Sequence, residues 1–347
     1  MKMKSIHEKH SGRFGYLSDS AVLTMITAAV FVLLYIFAAA VFQKGFLKPQ
    51  TFFNLLNANA SLMILSCGMT VVMVAGGIDI SVGGVSALVT MCCAVWLDHH
   101  GGSFTGAVLI ALGIGLAFGL VQGFLVAYLE IQPFIITLAG MFFARGMTTI
   151  VCDAPFNVQN EEFVRIRETR INVPFLGSYN KNGVFINAYV ETGVIIALLT
   201  AAVLFFVLKW TRTGRAFYAV GGNRQSALML GINVKRTVFI SHVICGLLAG
   251  IGGFVCFMHV GSGSAANASG AEMNAIASAI IGGTNLAGGA GNIIGTLLGT
   301  LTLALMQNIV SSAGLDQAWW TGITIAVMLC IFLILQSVII AMRKKLK

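Results

Sequence analysis

The chain has 347 residues, of which 57% are hydrophobic and only 10% charged, with a net charge of +9 at neutral pH. Soluble domains carry roughly 25% charged residues and about 45–50% apolar ones, so this composition excludes a soluble fold and implies an integral membrane protein. The positive charge does not call for nucleic acid, because the basic residues flank apolar blocks, as the positive-inside rule requires.

Residues 1–20 are polar, with Lys2, Lys4, Lys9 and Arg13, and read as a cytoplasmic tail. A spanning helix needs roughly 20 mainly apolar residues. The first such window, 21–41, is too long and too poorly flanked for a cleaved signal peptide and reads as an uncleaved span. Nine more follow, at 53–75, 81–97, 105–129, 134–151, 190–208, 237–259, 272–286, 292–310 and 319–342. The expected fold class is an all-α polytopic membrane protein of about 10 transmembrane helices, one domain over 21–342 with a cytoplasmic tail at 343–347. Windows 81–97 and 272–286 are short or glycine-broken, which leaves a count of eight or nine open.

Residues 209–236 carry six positive charges and no negative one: Lys209, Arg212, Arg215, Arg224, Lys235 and Arg236. Such a cluster beside a span fixes the cytoplasmic side. The basic tails, the second with Arg343, Lys344, Lys345 and Lys347, put both termini there too, which requires an even number of spans. Lys44 and Lys48 run against that trend. The longest loop, 152–189, then lies outside with four acidic and four basic residues, and reads as a lid, a docking surface or a passive connector. Within the central loop, 223–231 reads as a short helix. Asn223 would cap it, Ala227, Leu228 and Leu230 would be its apolar anchors, and Gly231 would end it.

Two glycine triplets, Gly115, Gly119, Gly123 and Gly291, Gly295, Gly299, have the four-residue spacing that lets helix backbones approach in lipid. Packing within the chain is the expected use and a dimer contact the alternative. The run Gly76-Gly-Ile-Asp-Ile-Ser-Val-Gly-Gly84 is echoed by Gly282-Gly-Thr-Asn-Leu-Ala-Gly-Gly289. Glycine-broken segments at corresponding places in two halves point to a repeated transporter architecture.

Ionisable residues within lipid are costly and mark pathways or pairs. Arg145 and Glu272 both fall toward the outer half and can pair, with lining of the solute route as the alternative. Asp79 can cap the third window's helix or contact a cytoplasmic partner. Gln122, Asn274, Gln307 and Asn308 can hydrogen-bond a polyol or join helices. The seven cysteines form no CxxC pair and read as small buried hydrophobes, and the histidines offer no metal-ligand set. No Gly-x4-Gly-Lys-Ser/Thr loop, HExxH or GxSxG occurs, so neither phosphate-loop ATP binding nor an enzyme is expected.

Four stretches in order resemble one family: Val74-Ala-Gly-Gly-Ile-Asp-Ile-Ser-Val-Gly-Gly84, Pro133-Phe-Ile-Ile-Thr-Leu-Ala-Gly140 with Ala144-Arg-Gly146, Thr213-Gly-Arg-Ala-Phe-Tyr-Ala-Val-Gly-Gly-Asn223, and Ala275-Ile-Ala-Ser-Ala-Ile-Ile-Gly-Gly-Thr-Asn-Leu-Ala-Gly-Gly289. They are similar to ribose-type permeases of bacterial ABC sugar importers over about residues 54–335. Within that group they look nearest to galactofuranose-type systems, through 136–146 and Trp319-Trp320.

The resemblance implies a non-catalytic pore subunit of the bacterial inner membrane, paired with itself or a homologue. A cytoplasmic ATPase using ATP and Mg would drive it, and a periplasmic sugar-binding protein would serve it. Asn223, Arg224, Ala227, Leu228, Leu230 and Gly231 fall in the family's ATPase-coupling segment. Arg224, Lys235 and Arg236 have lipid head groups as an alternative partner. Asp79 and Asn285 fall in two cytoplasmic turns, and Asn285 stands where the family often has Ser or Leu. The expected function is import of a neutral monosaccharide by alternating access, along a route drawing on Arg145, Glu272, Asn274, Gln307, Asn308 and Gln122. One rival is an ion-coupled secondary transporter or facilitator, for which Glu272 is the available carboxylate. Others keep the fold and change the cargo to a branched-chain amino acid, a nucleoside or a signalling furanose.

Overall fold

The computed structural model describes residues 19–42, 45–179, 185–315 and 318–346. The readings placed on residues 1–18, Lys44 and Lys347 lie outside the described residues. The first half contains α1 (Asp19–Phe42), α2 (Pro49–Val74), α3 (Val82–Asp98), α4 (Phe104–Ala127) and α5 (Pro133–Val151). A folded excursion follows: β1 (Phe156–Asn157), α6 (Glu161–Arg167), β2 (Arg170–Tyr179) and β3 (Phe185–Glu191). Next come α7 (Thr192–Trp210), α8 (Arg212–Gly222), α9 (Arg224–Met229) and α10 (Val234–Val260). The chain closes with β4 (Ser262–Gly263), α11 (Ala271–Ile281), α12 (Ile293–Ser312) and α13 (Ala318–Leu346).

Among the described residues, seven helices (α1, α2, α4, α5, α7, α10 and α12) are long and apolar enough to cross a membrane. Three shorter apolar helices accompany them: Val82–Asp98, Ala271–Ile281 and Trp319–Ile334. The fold is thus a polytopic helical membrane protein. Helix ends follow local chemistry more than hydropathy. α2 starts four residues before its apolar window because Pro49 suits the first helical turn. α11 stops at Ile281, short of the expected 286, because Gly282 and Gly283 turn the chain, the latter at φ +92°. α8 is a helix the hydropathy pattern does not announce. Thr211 Oγ1 caps it by accepting from Gly214 N at 3.1 Å, and it buries Gly214, Phe217 and Val220 on one face.

α2 and α10 form the centre. Residues 63–74 of α2 are buried without a break, and α10 packs along α2, α3 and α4. Both glycine triplets are used inside the chain. A methyl group on Gly115 would lie 2.9 Å from Gly250 N, and one on Gly119 would lie 3.0 Å from His242 O, so α4 and α10 meet backbone to backbone. On the other triplet, a methyl on Gly299 would lie 2.8 Å from Gly282 N, which brings α12 onto the end of α11.

The described residues between 152 and 191 form a short helix and a hairpin that pack on the bundle. Asn160 caps α6, its side chain accepting from Phe163 N at 3.1 Å. Phe163 is fully buried and stacks on Phe257 of α10 at 4.5 Å. Arg167 donates to the carbonyls of Met258, His259 and Val260, each at 3.2 Å, which satisfies the open C-terminal end of α10. β2 and β3 form an antiparallel hairpin with a register irregularity between Val173 and Gly177.

Candidate functional site

At the end of the bundle where α8 and α9 lie, α9 is fixed at both ends. Asn223 Oδ1 accepts from Ser226 N at 2.8 Å. At the other end, Ile232 N donates to Ala227 O at 3.1 Å and Gly231 N to Leu228 O at 3.0 Å, with Gly231 at φ +78°. This is the Schellman pattern, which needs a left-handed residue and is easiest for glycine. Ala227 is buried in a small cluster with Val126, Ala127, Val220, Val234 and Val238. The next three residues point the other way: Leu228, Met229 and Leu230 are 64%, 82% and 78% exposed. Ala227 is thus the inward anchor, and Leu228 and Leu230 stand on the outward face. Met229, the most exposed of the three, escapes the sequence reading although it sits between two residues that reading names. Arg224 and Arg236 are exposed on either side.

A contact the sequence does not announce braces this region. Lys235 Nζ lies 3.0 Å from Glu130 Oε1 and ties the α4–α5 turn to the start of α10. The hydrogen bond and charge of Lys235 hold the Glu130 carboxyl below its usual range, with Arg224 adding to the effect. Glu130 itself has φ +56°.

Of the two glycine-rich turns, the first is closed by Asp79. Its Oδ1 accepts from Ser81 N at 2.9 Å and from Ser81 Oγ at 2.6 Å, which sets the entry to α3. Asp79 is 1% exposed, and its Oδ1 serves the turn. Ser81 Oγ also lies 3.0 Å from the Gln122 side-chain oxygen. One hydroxyl proton cannot serve both acceptors, and amide oxygen and nitrogen are interchangeable by a flip, so Gln122 is best assigned as the donor to Ser81. In the second turn, Asn285 Oδ1 accepts from Ala287 N at 3.1 Å.

Arg145 and Glu272 are brought together with their charged groups 4.0 Å apart, both half-buried. The main partners of Arg145 are carbonyls: Nη1 donates to Ala265 O at 2.9 Å and Asn267 O at 2.8 Å, and Nη2 to Ala268 O at 3.0 Å. One guanidinium therefore pins the loop before α11, where Ala268 has φ +52°. Gly83 makes the space for Glu272, because a methyl there would collide with the Glu272 carboxylate. Among the described residues no hydrogen bond joins Gln122, Asn274, Gln307 or Asn308 to this pair. Asn274 and Gln307 are half-buried, and Asn308 is exposed. No cluster of three or more His, Cys, Asp or Glu side chains suited to a metal occurs among the described residues.

The opposite end carries a recess of about 190 Å³ lined by Arg167, Glu168, Arg170, Glu191, Met258 and His259. In its wall His259 Nδ1 meets Glu191 Oε2 at 2.7 Å, and the Arg170 guanidinium lies 4.4 Å above the Tyr189 ring.

Residues 51–333 match the family model described as branched-chain amino acid transport system / permease component. Among curated proteins, the chain is 36% identical to an inner membrane ABC transporter permease protein, YjfF, of Escherichia coli K12, over 90% of this chain and 91% of that one. It is 34% identical to the fructose import permease protein FruG of Bifidobacterium longum, over 94% and 93% of the two chains. It is 33% identical to the ribose import permease protein RbsC of Escherichia coli K12, over 82% and 85%. No solved structure matches the chain.

Proposed function

This chain belongs to the family of branched-chain amino acid transport system / permease components, and from that premise we propose that it is the membrane permease of a bacterial ABC importer for a neutral monosaccharide. The names of its relatives support the cargo class, since fructose, ribose and xylose permeases match along most of their length. The state of the charged groups fits the same cargo. Arg145 and Glu272 are engaged with each other and with backbone carbonyls, which leaves uncharged polar groups for sugar hydroxyls. A zwitterionic amino acid would ask for fixed charges instead.

The observation that carries the mechanism is the knob of Leu228, Met229 and Leu230, held outward by a helix capped at both ends. Three consecutive large apolar side chains in water are unfavourable by roughly 1.5–3 kcal/mol each against burial, and a protein cleft removes that cost. The partner proposed is a separate cytoplasmic ATPase, which binds ATP and Mg. Hydrolysis there would shift the α8–α9 segment and switch the pore between outward and inward access. A periplasmic sugar-binding protein would deliver cargo to the hairpin end. If the three shorter apolar helices cross as well as the seven long ones, the chain would have ten spans and both termini would lie on the α8–α9 side, which its positive charge would make the cytoplasmic one. The residues at the turns, Asp79 and Asn285, would lie on that side.

The test is to isolate the protein from its native membrane in mild detergent and to compare it with the double variant Leu228→Asp/Leu230→Asp. The wild-type protein should bring down an ATPase, and the variant should lose it while eluting as the same folded species. Retention of the ATPase by the variant would remove α9 as the docking element.

A further inference from the structure

The two glycine-rich turns that echo each other in sequence do not merely lie at the same end of the bundle. They touch, and what they touch together is the last turn of α8. Gly221 lies so close to the end of α2 that a methyl group on it would collide with Val74 O, and it would lie 2.6 Å from Gly289 N in the second turn. From the other side, a methyl on Gly288 would lie 2.8 Å from Gly221 O and 2.9 Å from Gly76 Cα. Gly289 N donates to Val74 O at 3.0 Å, so a direct backbone hydrogen bond joins the second turn to the end of α2, two residues before the first turn begins. Tyr218, one turn earlier on α8, donates its hydroxyl to Gly291 O at 2.9 Å just before α12 begins. The contact is therefore pinned by hydrogen bonds as well as by the absence of side chains.

The link from α9 to this contact is short and hydrogen-bonded. Asn223 alone separates α8 from α9. Its N–H donates to Ala219 O at 3.1 Å, its carbonyl accepts from Ala227 N at 2.9 Å, and its side chain caps α9. Between α9, which carries the exposed knob, and Gly221 stand only Asn223, held by these bonds, and Gly222, the last residue of α8, so the path for a displacement is short.

We propose that Gly221, with Tyr218, is a positioning element that passes the movement of α9 to both glycine-rich turns at once. It would thereby shift the ends of α2 and α11 and the starts of α3 and α12 in concert. Backbone-to-backbone contact suits this role, because it contains no rotatable side chain to absorb a shift of an ångström or less. The inference rests on the ABC-permease reading above and adds the route by which the coupling segment reaches the membrane helices.

The complete complex, with its ATPase and a sugar-loaded binding protein, is reconstituted in vesicles. Labelled sugar uptake and phosphate release are measured together, with ribose, fructose and xylose each tried as cargo. In Gly221→Ala the ATPase should stay bound and hydrolysis continue, while sugar moved per ATP falls at least tenfold. Tyr218→Phe, which loses one hydrogen bond and no packing, should lower the same ratio two- to fivefold. Gly113→Ala is the control, since a methyl there meets nothing within 4 Å, and its ratio should equal that of the wild-type protein. An unchanged ratio in a folded Gly221→Ala complex overturns the proposal. If that variant does not fold, an unchanged ratio in Tyr218→Phe overturns it instead and a lowered one supports it. A wild-type chain that binds no ATPase fails at an earlier step, and overturns the function proposed above together with this inference.

Discussion

Replacing Arg145 by methionine keeps the apolar stem and removes the guanidinium that holds the carbonyls of Ala265, Asn267 and Ala268. Hydrogen bonds to a charged group contribute roughly 1.5–3 kcal/mol each, and those sharing one group do not add fully. The ion pair with Glu272 is a separate and smaller quantity. At 4.0 Å, with side chains 23% and 14% exposed, it is expected to supply about 1 kcal/mol. Arg145→Met should therefore cost about 3–5 kcal/mol, most of it from the loop. Arg145→Met/Glu272→Gln removes the carboxylate left without its partner and should recover only about 1 kcal/mol. Arg145→Lys should fall between, since one ammonium cannot reproduce a planar fork aimed at three carbonyls. The assay is equilibrium unfolding of the purified chain in mixed micelles with rising denaturing detergent, read by helix signal. Full recovery in the double variant would refute the reasoning, because the ion pair and not the loop clamp would then carry the energy. A cost below 1 kcal/mol for Arg145→Met would refute it as well.

Gly115→Leu should abolish stable expression, because its side chain would have to enter the backbone of Gly246 and Gly250. Overpacking costs of about 1–3 kcal/mol apply where neighbours can yield, and here the neighbour is main chain. Yield after membrane extraction reads this out. Phe163→Ala removes a fully buried ring stacked on Phe257 and should cost about 3–5 kcal/mol if the excursion unfolds with the bundle. Proteolysis confined to 152–191 would show that α6 detaches alone. The contact of Glu130 with Lys235 has a pH sign. The folded carboxyl is held below its usual range, so the contribution is present at neutral pH, above the unfolded value, and is lost as pH falls through the lowered folded value. Amide exchange over 128–132 should quicken only below the ordinary carboxylate range, and Lys235→Gln should quicken it at neutral pH.

Membrane class, most helix positions and α9 were legible because each rests on a local signal. Apolar length announces a span, and Asn223 with Gly231 announces a capped turn. Neighbour choice was legible at one kind of position, the glycine triplets, since small residues at four-residue spacing need a facing backbone. The rest was not. The spans are apolar on nearly every side, so no hydrophobic stripe indicates that α2 and α10 are central while α1 and α5 lie outside. The excursion of residues 152–191 hid its helix and hairpin because its order comes from contacts distant in sequence, such as Phe163 with Phe257 and Arg167 with the end of α10. Arg145 and Glu272 were readable as a pair. The three carbonyls that dominate the surroundings of Arg145 were not, because backbone acceptors leave no trace in residue identity.

The polar side chains of the spans divide into two groups with different consequences for transport. Most threonines return their hydroxyl to the carbonyl four residues earlier, as Thr137 does to Pro133 at 2.9 Å, Thr148 to Ala144 at 2.8 Å and Thr300 to Thr296 at 3.0 Å. These groups are satisfied within their own helix and offer little to a passing hydroxyl. The second group also reaches between helices: Thr70 and Thr296, each with its own i−4 carbonyl in reach as well, meet at 2.6 Å, and Ser61 reaches Gly252 O at 2.7 Å. Those bonds join α2 to α10 and to α12, and the end of α2 meets the turn before α12 at Gly221. A rearrangement that moved the two turns would have to carry these bonds along or break them. Interhelical hydrogen bonds in membranes average only about 0.6 kcal/mol, so breaking two or three lies within what a coupled ATPase can drive. The same weakness explains why the junction relies on backbone contact: side-chain bonds this weak could not by themselves hold the turns and α8 in step.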